Sequence, residues 1–165
     1  MYYPFKTINL TTPQSTTSSL TETKLASVQI PANTFSVGDV LKIEIAIKKT
    51  GSNGLSSYKI YWNSSDSISS PTPLQIAQYA NVVGVTTTPI FFVRRISIAS
   101  NDGSGDGTQT HLNTDNVYQD YIRIGNYAAT TLAINWTVDS WILIAGNVAN
   151  ASDNINCQWM RVTNG

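Results

Sequence analysis

Few residues in this chain have side chains suited to acid–base or nucleophilic chemistry. One histidine, His111, lies in the polar stretch 108–112, and one cysteine, Cys157, alternates with Ile155 and Trp159. A serine or cysteine nucleophile needs a histidine placed beside it, and the sequence offers no such pattern. His111 therefore reads as a loop residue and Cys157 as a small buried apolar one. A zinc site calls for several His and Cys at close spacing, and the chain has one of each. Glycoside hydrolysis uses paired carboxylates. Here Glu22 falls in a Ser/Thr-rich leader and Glu44 among alternating surface positions. Most aspartates, such as Asp39, Asp66, Asp139 and Asp153, sit in or beside turns, where the side chain bonds nearby backbone. The glycine-rich run 101–107 places Asp102 and Asp106 close enough to be weak calcium candidates. It lacks the ligand spacing and closing glutamate of an EF-hand. The expectation is a protein with no catalytic residue, no cofactor and no metal.

Aromatic rings are the remaining chemical resource, because a ring face can stack on a sugar. Parity assigns several to the core: Trp62 shares a strand face with Tyr58 and Ile60, Trp136 with Leu132 and Ile134, and Trp159 with Cys157 and Ile155. Tyr61, Tyr79, Tyr121, Tyr127 and Trp141 are left as the candidate glycan-binding set.

The elements that position these residues are strands. From residue 24 onward apolar residues recur at every second position, best seen where Leu41, Ile43, Ile45 and Ile47 alternate with Lys42, Glu44, Ala46 and Lys48. The run 50–54 ends in Asn53-Gly54, a pair that supplies the positive φ a hairpin needs, and the chain returns through Tyr58, Ile60 and Trp62. Further strands are expected over 24–30, 74–80, 89–99, 117–124, 131–137, 141–148 and 155–162. Turn-rich polar segments separate them, and no helical stripe of useful length interrupts them. This pattern predicts an all-β, antiparallel sandwich, jelly roll or barrel. The strand 89–99 is unusual. Ile90, Phe92, Ile96 and Ile98 share a face with Arg94, and Phe91 and Val93 make the other face apolar as well. A buried charge is costly when unpaired, which leaves three options: a bulge near the arginines, a carboxylate partner for Arg94, or a second face that meets another subunit. Phe91, Val93, Arg94 and Arg95 are the interface candidates.

The chain has 165 residues, of which 41% are hydrophobic, enough for one domain with a sizeable core. Charged residues are only 12%, and the formal net charge is zero. Binding nucleic acid or an anionic membrane needs clustered Lys and Arg, and the densest spots are Lys48-Lys49 and Arg94-Arg95. Neither partner is expected. A single cysteine excludes an intramolecular disulfide. The N-terminus lacks the pattern of a signal peptide, and no apolar run approaches the ~20 residues of a membrane span, so synthesis and folding in a cytoplasm are expected. Residues 1–23 differ from the domain at 24–165. A Ser/Thr-rich tether follows Tyr2, Tyr3, Phe5, Ile8 and Leu10, so this segment reads as an extended arm whose apolar tip orders on a partner.

Two passages carry a family resemblance. One, Ile30 to Ile43, joins a Pro-x-Asn-x-Phe turn (Pro31, Asn33, Phe35) to a Gly-Asp-x-Leu strand start (Gly38, Asp39, Leu41). The other, Trp141 to Asp153, runs a strand into the turn Asn150-Ala151-Ser152-Asp153. Together they resemble the jelly-roll modules of tailed-bacteriophage virions: head fibres, capsid-decorating proteins and tail-fibre tips. The resemblance implies a jelly-roll-like β-sandwich in a homotrimer. It also implies attachment to other virion proteins through the N-terminal arm, with the β-domain outward and in reach of a host-surface glycan.

Overall fold

β-Branched and aromatic residues at alternate positions favour the pleated, half-buried surface of a sheet. The computed structural model describes residues 7–10, 15–16, 20–83, 90–99, 108–111 and 130–164. Its strands are β1 (Thr7–Leu10), β2 (Ser15–Thr16), β3 (Thr23–Ile30), β4 (Val40–Thr50), β5 (Leu55–Asn63), β6 (Leu74–Val83), β7 (Ile90–Ile98), β8 (Thr108–His111), β9 (Thr130–Leu132), β10 (Ser140–Val148) and β11 (Asn154–Asn164). Among the described residues there is no helix. The larger sheet has the order β1-β11-β4-β7-β8-β9, with β2 also on β11. The smaller has the order β3-β10-β5-β6. Every pairing is antiparallel, and the two sheets stack into the all-β sandwich that the alternation predicts.

The core lies between the sheets. Ile43, Ile45, Ile47 and Ile96 of the larger sheet, with Val28, Ile60, Ile142 and Ile144 of the smaller, are buried in it. Phe92 crosses the seam, its ring centroid 4.2 Å from that of Tyr79 and 5.8 Å from that of Tyr58. Phe35 meets Trp136 edge-on at 5.4 Å.

The structure corrects several expectations. The β4–β7 register runs without interruption from Val40↔Ser97 to Ile47↔Ile90, so there is no bulge at the arginines. Parity keeps Arg94 on the inner face, fully buried, with its guanidinium 5.9 Å from the Tyr79 ring centroid. An aromatic face attracts a cation at that range. The strand expected over 131–137 ends at Leu132, although Ile134 and Trp136 still enter the core. His111 closes strand β8 rather than lying in a loop. At the β4–β5 turn the positive φ belongs to Gly51 (112°), not to Asn53-Gly54. A Cβ at Gly51 would stand 2.5 Å from Asp153 Oδ1, so the close approach of that aspartate requires glycine there. Of the segment read as an arm, residues 7–10 and 15–16 pair with β11. Ile8 and Leu10 lie opposite Val162 and Arg161. Tyr2, Tyr3 and Phe5, the expected strand 117–124, and the loop with Asp102 and Asp106 fall outside the described residues.

Candidate functional site

The outer face of the larger sheet is built by three central strands. Across β4, β7 and β11 the register aligns Lys42 with Arg95 and Thr163, Glu44 with Val93 and Arg161, and Ala46 with Phe91 and Trp159. Phe91 is 54% exposed, large for an aromatic side chain on a sheet. Its ring lies 5.9 Å from that of half-buried Trp159, the planes tilted by 48°. Between them Ala46, although it points outward, is completely covered. Phe91 was expected in an interface and Trp159 in the core. The outward position of Trp159 comes from a shift in the β11–β4 register between Cys157 and Trp159. One extra residue in a strand reverses the facing of everything beyond it. Strict parity carried past Cys157 therefore gives the wrong face, and no local signal marks the bulge.

On one side of the aromatic pair is a row of ions. Glu44 receives Lys42 Nζ at 2.8 Å and Arg161 Nε at 2.7 Å, with the Arg161 Nη2 group also on its Oε2. Desolvation pushes the Glu44 carboxyl up, but the hydrogen bonds and charges of Lys42 and Arg161 outweigh it and hold the group below its usual range. On the other side the face runs into a groove of about 220 Å³ lined by Lys48, Thr50, Asn154, Asn156 and Gln158. Gln158 Nε2 donates to Asn156 Oδ1 at 2.5 Å.

The end of this groove is pinned from beneath. Lys49, between the groove residues Lys48 and Thr50, points inward and is fully buried, as is Asp153. Lys49 Nζ lies 2.8 Å from Asp153 Oδ2 and donates to Ser52 O at 2.5 Å. The Ser52 amide in turn donates to Asp153 Oδ1 at 2.5 Å. Asp153, read from sequence as a local turn residue, thus ties the β10–β11 turn to the β4–β5 turn. The ion pair, together with the Ser52 bonds, holds its carboxyl below the usual value.

Of the expected glycan-binding residues, Tyr61 and Trp141 share one cluster, and Tyr79 lies apart from them in the core. Tyr79 is enclosed in the core against Phe92, so its ring offers no surface. Tyr61 and Trp141 lie on the opposite, outer face of the smaller sheet. There Tyr61 is 7% exposed, packed with Leu143 and Ala145 and covered by Ile68. The segment bearing Ile68 is tied down by Asn63 Nδ2, which donates to Ser67 O and Pro71 O at 2.7 and 2.9 Å. A Lys24–Asp66 ion pair of 2.7 Å adds to this. Burial, with the Glu22 carboxylate beside it, pushes the Tyr61 hydroxyl up to about 12. Tyr121 and Tyr127 lie outside the described residues. The same face holds a cleft of about 390 Å³ that includes Ser57, Lys59, Gln78 and Asn147. No ring lines it, and Lys59 is neutralised by Glu22 at 2.6 Å. Of the interface candidates, Phe91, Val93 and Arg95 share the outer face of the larger sheet, while Arg94 faces inward.

No protein-family model matches the sequence, and no curated protein is significantly similar to it. Among solved structures, the chain is similar to the Emp46p carbohydrate recognition domain in its potassium-bound form, at 12% identity and a TM-score of 0.48, over 93% of this chain and 87% of that one. It is similar to the CBM2 module of the evolved Dit protein of Lactobacillus casei BL23 phage J-1, at 13% identity and a TM-score of 0.37, over 98% and 79%. A laminarinase from Rhodothermus marinus aligns at 11% identity and a TM-score of 0.35, over 85% and 70%.

Cys157 supplies a check on the strand that carries the platform. Its thiol is fully buried, 3.4 Å from the Trp159 carbonyl. Burial is the main cause that pushes it up, to about 12. Because the thiolate is the reactive form, Cys157 is expected to be inert to a disulfide reagent at pH 8 in the native protein. It should react fully once the chain is unfolded. Rapid colour development without denaturant would show that Cys157 is not enclosed between the two sheets.

Proposed function

We propose that this chain is a non-catalytic carbohydrate-binding module whose ligand lies along the outer face of the larger sheet, over Phe91 and Trp159. The observation that carries this reading is the pairing of exposed Phe91 with half-buried Trp159, continuing into an amide-lined groove. A sugar ring presents apolar C–H faces and a rim of hydroxyls. A ring surface takes the first, and Asn154, Asn156, Gln158 and Thr50 offer donors and acceptors to the second. Hydrolysis would need two carboxylates around one bond. Glu44 is the sole carboxylate on this face among the described residues and is already engaged by two cations.

Native affinity electrophoresis through a panel of soluble polysaccharides tests the reading. Retardation by at least one of them is expected. Phe91→Ala and Trp159→Ala should each weaken it about tenfold, the equivalent of one lost stacking contact of ~1.5 kcal/mol. Trp141→Phe, on the opposite face, should leave it unchanged. Unaltered affinity in both platform variants, with melting temperatures near wild type, would rule the platform out.

A second reading makes this module a homotrimer on a bacteriophage virion, made in the host cytoplasm and anchored to other virion proteins through residues 1–23. It is supported by the pairing of residues 7–10 and 15–16 along β11, which leaves the N-terminal segment at the edge of the sheet that bears the platform. Polar substitution of Tyr2, Tyr3 and Phe5 together spares those pairings and should abolish incorporation into particles. Normal incorporation would remove the anchor. A monomeric mass by light scattering would remove the trimer.

A further inference from the structure

We infer that the glycan taken by this face is an anionic one, a saccharide bearing carboxylate, sulfate or phosphate groups. The inference rests on the carbohydrate-binding reading above and names the ligand class for the same site. The whole chain balances its charges, ten basic against ten acidic. The outer face of the larger sheet does not. Its described side chains include Lys42, Lys48, Arg95 and Arg161 against Glu44 alone.

The placement of these cations matters more than their number. Along β4 the register puts Arg161 at the level of Glu44, the aromatic pair at Ala46, and Lys48 opposite Asn156. At about 3.4 Å per residue, cationic groups stand roughly 7 Å to either side of the rings. A sugar stacked on Phe91 or Trp159 therefore meets a cation at each end. Arg161 keeps 43% of its side chain exposed while bonded to Glu44, so its fork has donors left for a ligand oxygen. Lys48 makes no hydrogen bond or ion pair among the described residues, and it lines the groove beside Asn156 and Gln158. A neutral saccharide would leave this charge idle. An acidic one neutralises it, with the charge-assisted bonds that carboxylate, sulfate and phosphate oxygens make.

The test uses the full chain and matched polymers. Dextran is compared with dextran sulfate and with phosphorylated dextran, and neutral galactan with polygalacturonate. At least one acidic polymer should retard the protein about tenfold more strongly than its neutral counterpart, and the difference should shrink as salt rises from about 50 to about 300 mM. Lys48→Gln should weaken acidic binding by about threefold to tenfold and neutral binding by clearly less. Glu44→Gln, which releases Lys42 and Arg161, should strengthen it. The melting temperature of each variant confirms that it is folded. Equal retention by neutral and acidic polymers, both abolished by Trp159→Ala, would overturn the anionic assignment and leave the carbohydrate reading standing. Acidic binding that survives Trp159→Ala and is matched by single-stranded DNA would reduce it to general polyanion attraction and overturn it too. Binding to none of the polymers would overturn both readings.

Discussion

Replacing Lys49 with methionine is expected to lower the melting temperature at pH 7 by on the order of 10 °C, because it leaves the buried Asp153 carboxylate without its cation. Lys49 and Asp153 are both fully enclosed, 2.8 Å apart, and the Ser52 backbone bonds each of them. The effect should depend on pH in a definite direction. The folded protein holds Asp153 below its ordinary value of 3.8. Its contribution is therefore complete above that value and is lost as pH falls through the lower folded one. In the variant the burial cost acts without the cation, favouring the neutral acid. The gap between wild type and Lys49→Met should thus narrow when melts at pH 7 are repeated near pH 3. Adding Asp153→Asn should recover part of the loss at pH 7, since the amide oxygen still accepts from Ser52. Equal melting temperatures at pH 7 would show that the pair does not hold the two turns together. Lys48, Thr50 and Asn154 flank this pair and line the groove, so ligand affinity should fall along with stability.

Phe92→Ala is expected to destabilise the sandwich by about 3–5 kcal/mol, the cost of deleting a fully buried aromatic side chain and leaving a cavity. For a domain of this size that corresponds to roughly 10–15 °C in melting temperature. Phe92 belongs to the larger sheet, yet its two ring contacts, Tyr58 and Tyr79, come from β5 and β6 of the smaller one. Removing it opens the seam between the sheets rather than a spot within one. The loss would also loosen Tyr79, whose ring faces the Arg94 guanidinium. Phe92→Leu keeps most of the volume and should cost less than about 1.5 kcal/mol. Chemical denaturation of both variants measures the difference. A similar small loss for each would mean that the site collapses around the missing ring.

Local alternation was enough to read the β class of this chain, because the period of two is a property of neighbouring residues. It put Ile43, Ile45 and Ile47 inside, set Phe92 and Arg94 on one face, and turned Phe91, Val93 and Arg95 to the other. Lys49 also lies on the inner face, and what neutralises it was not legible. Ser52 and Asp153 are 101 positions apart, and only the meeting of two hairpin turns brings them together. The platform was half visible for the same reason. Phe91 follows from parity, but Trp159 reaches its side through a bulge that no neighbouring residue announces, and the register of β11 on β4 creates that bulge. Tyr61 and Tyr79 show the converse. Both looked available by type and spacing, and packing from distant segments, Ile68 over one and Phe92 against the other, took their ring faces away. Within an unbroken stretch of strand, the sequence determined which residues share a face. Tertiary structure decided which outward faces stay open, because burial from above is made by chain that lies far away in sequence.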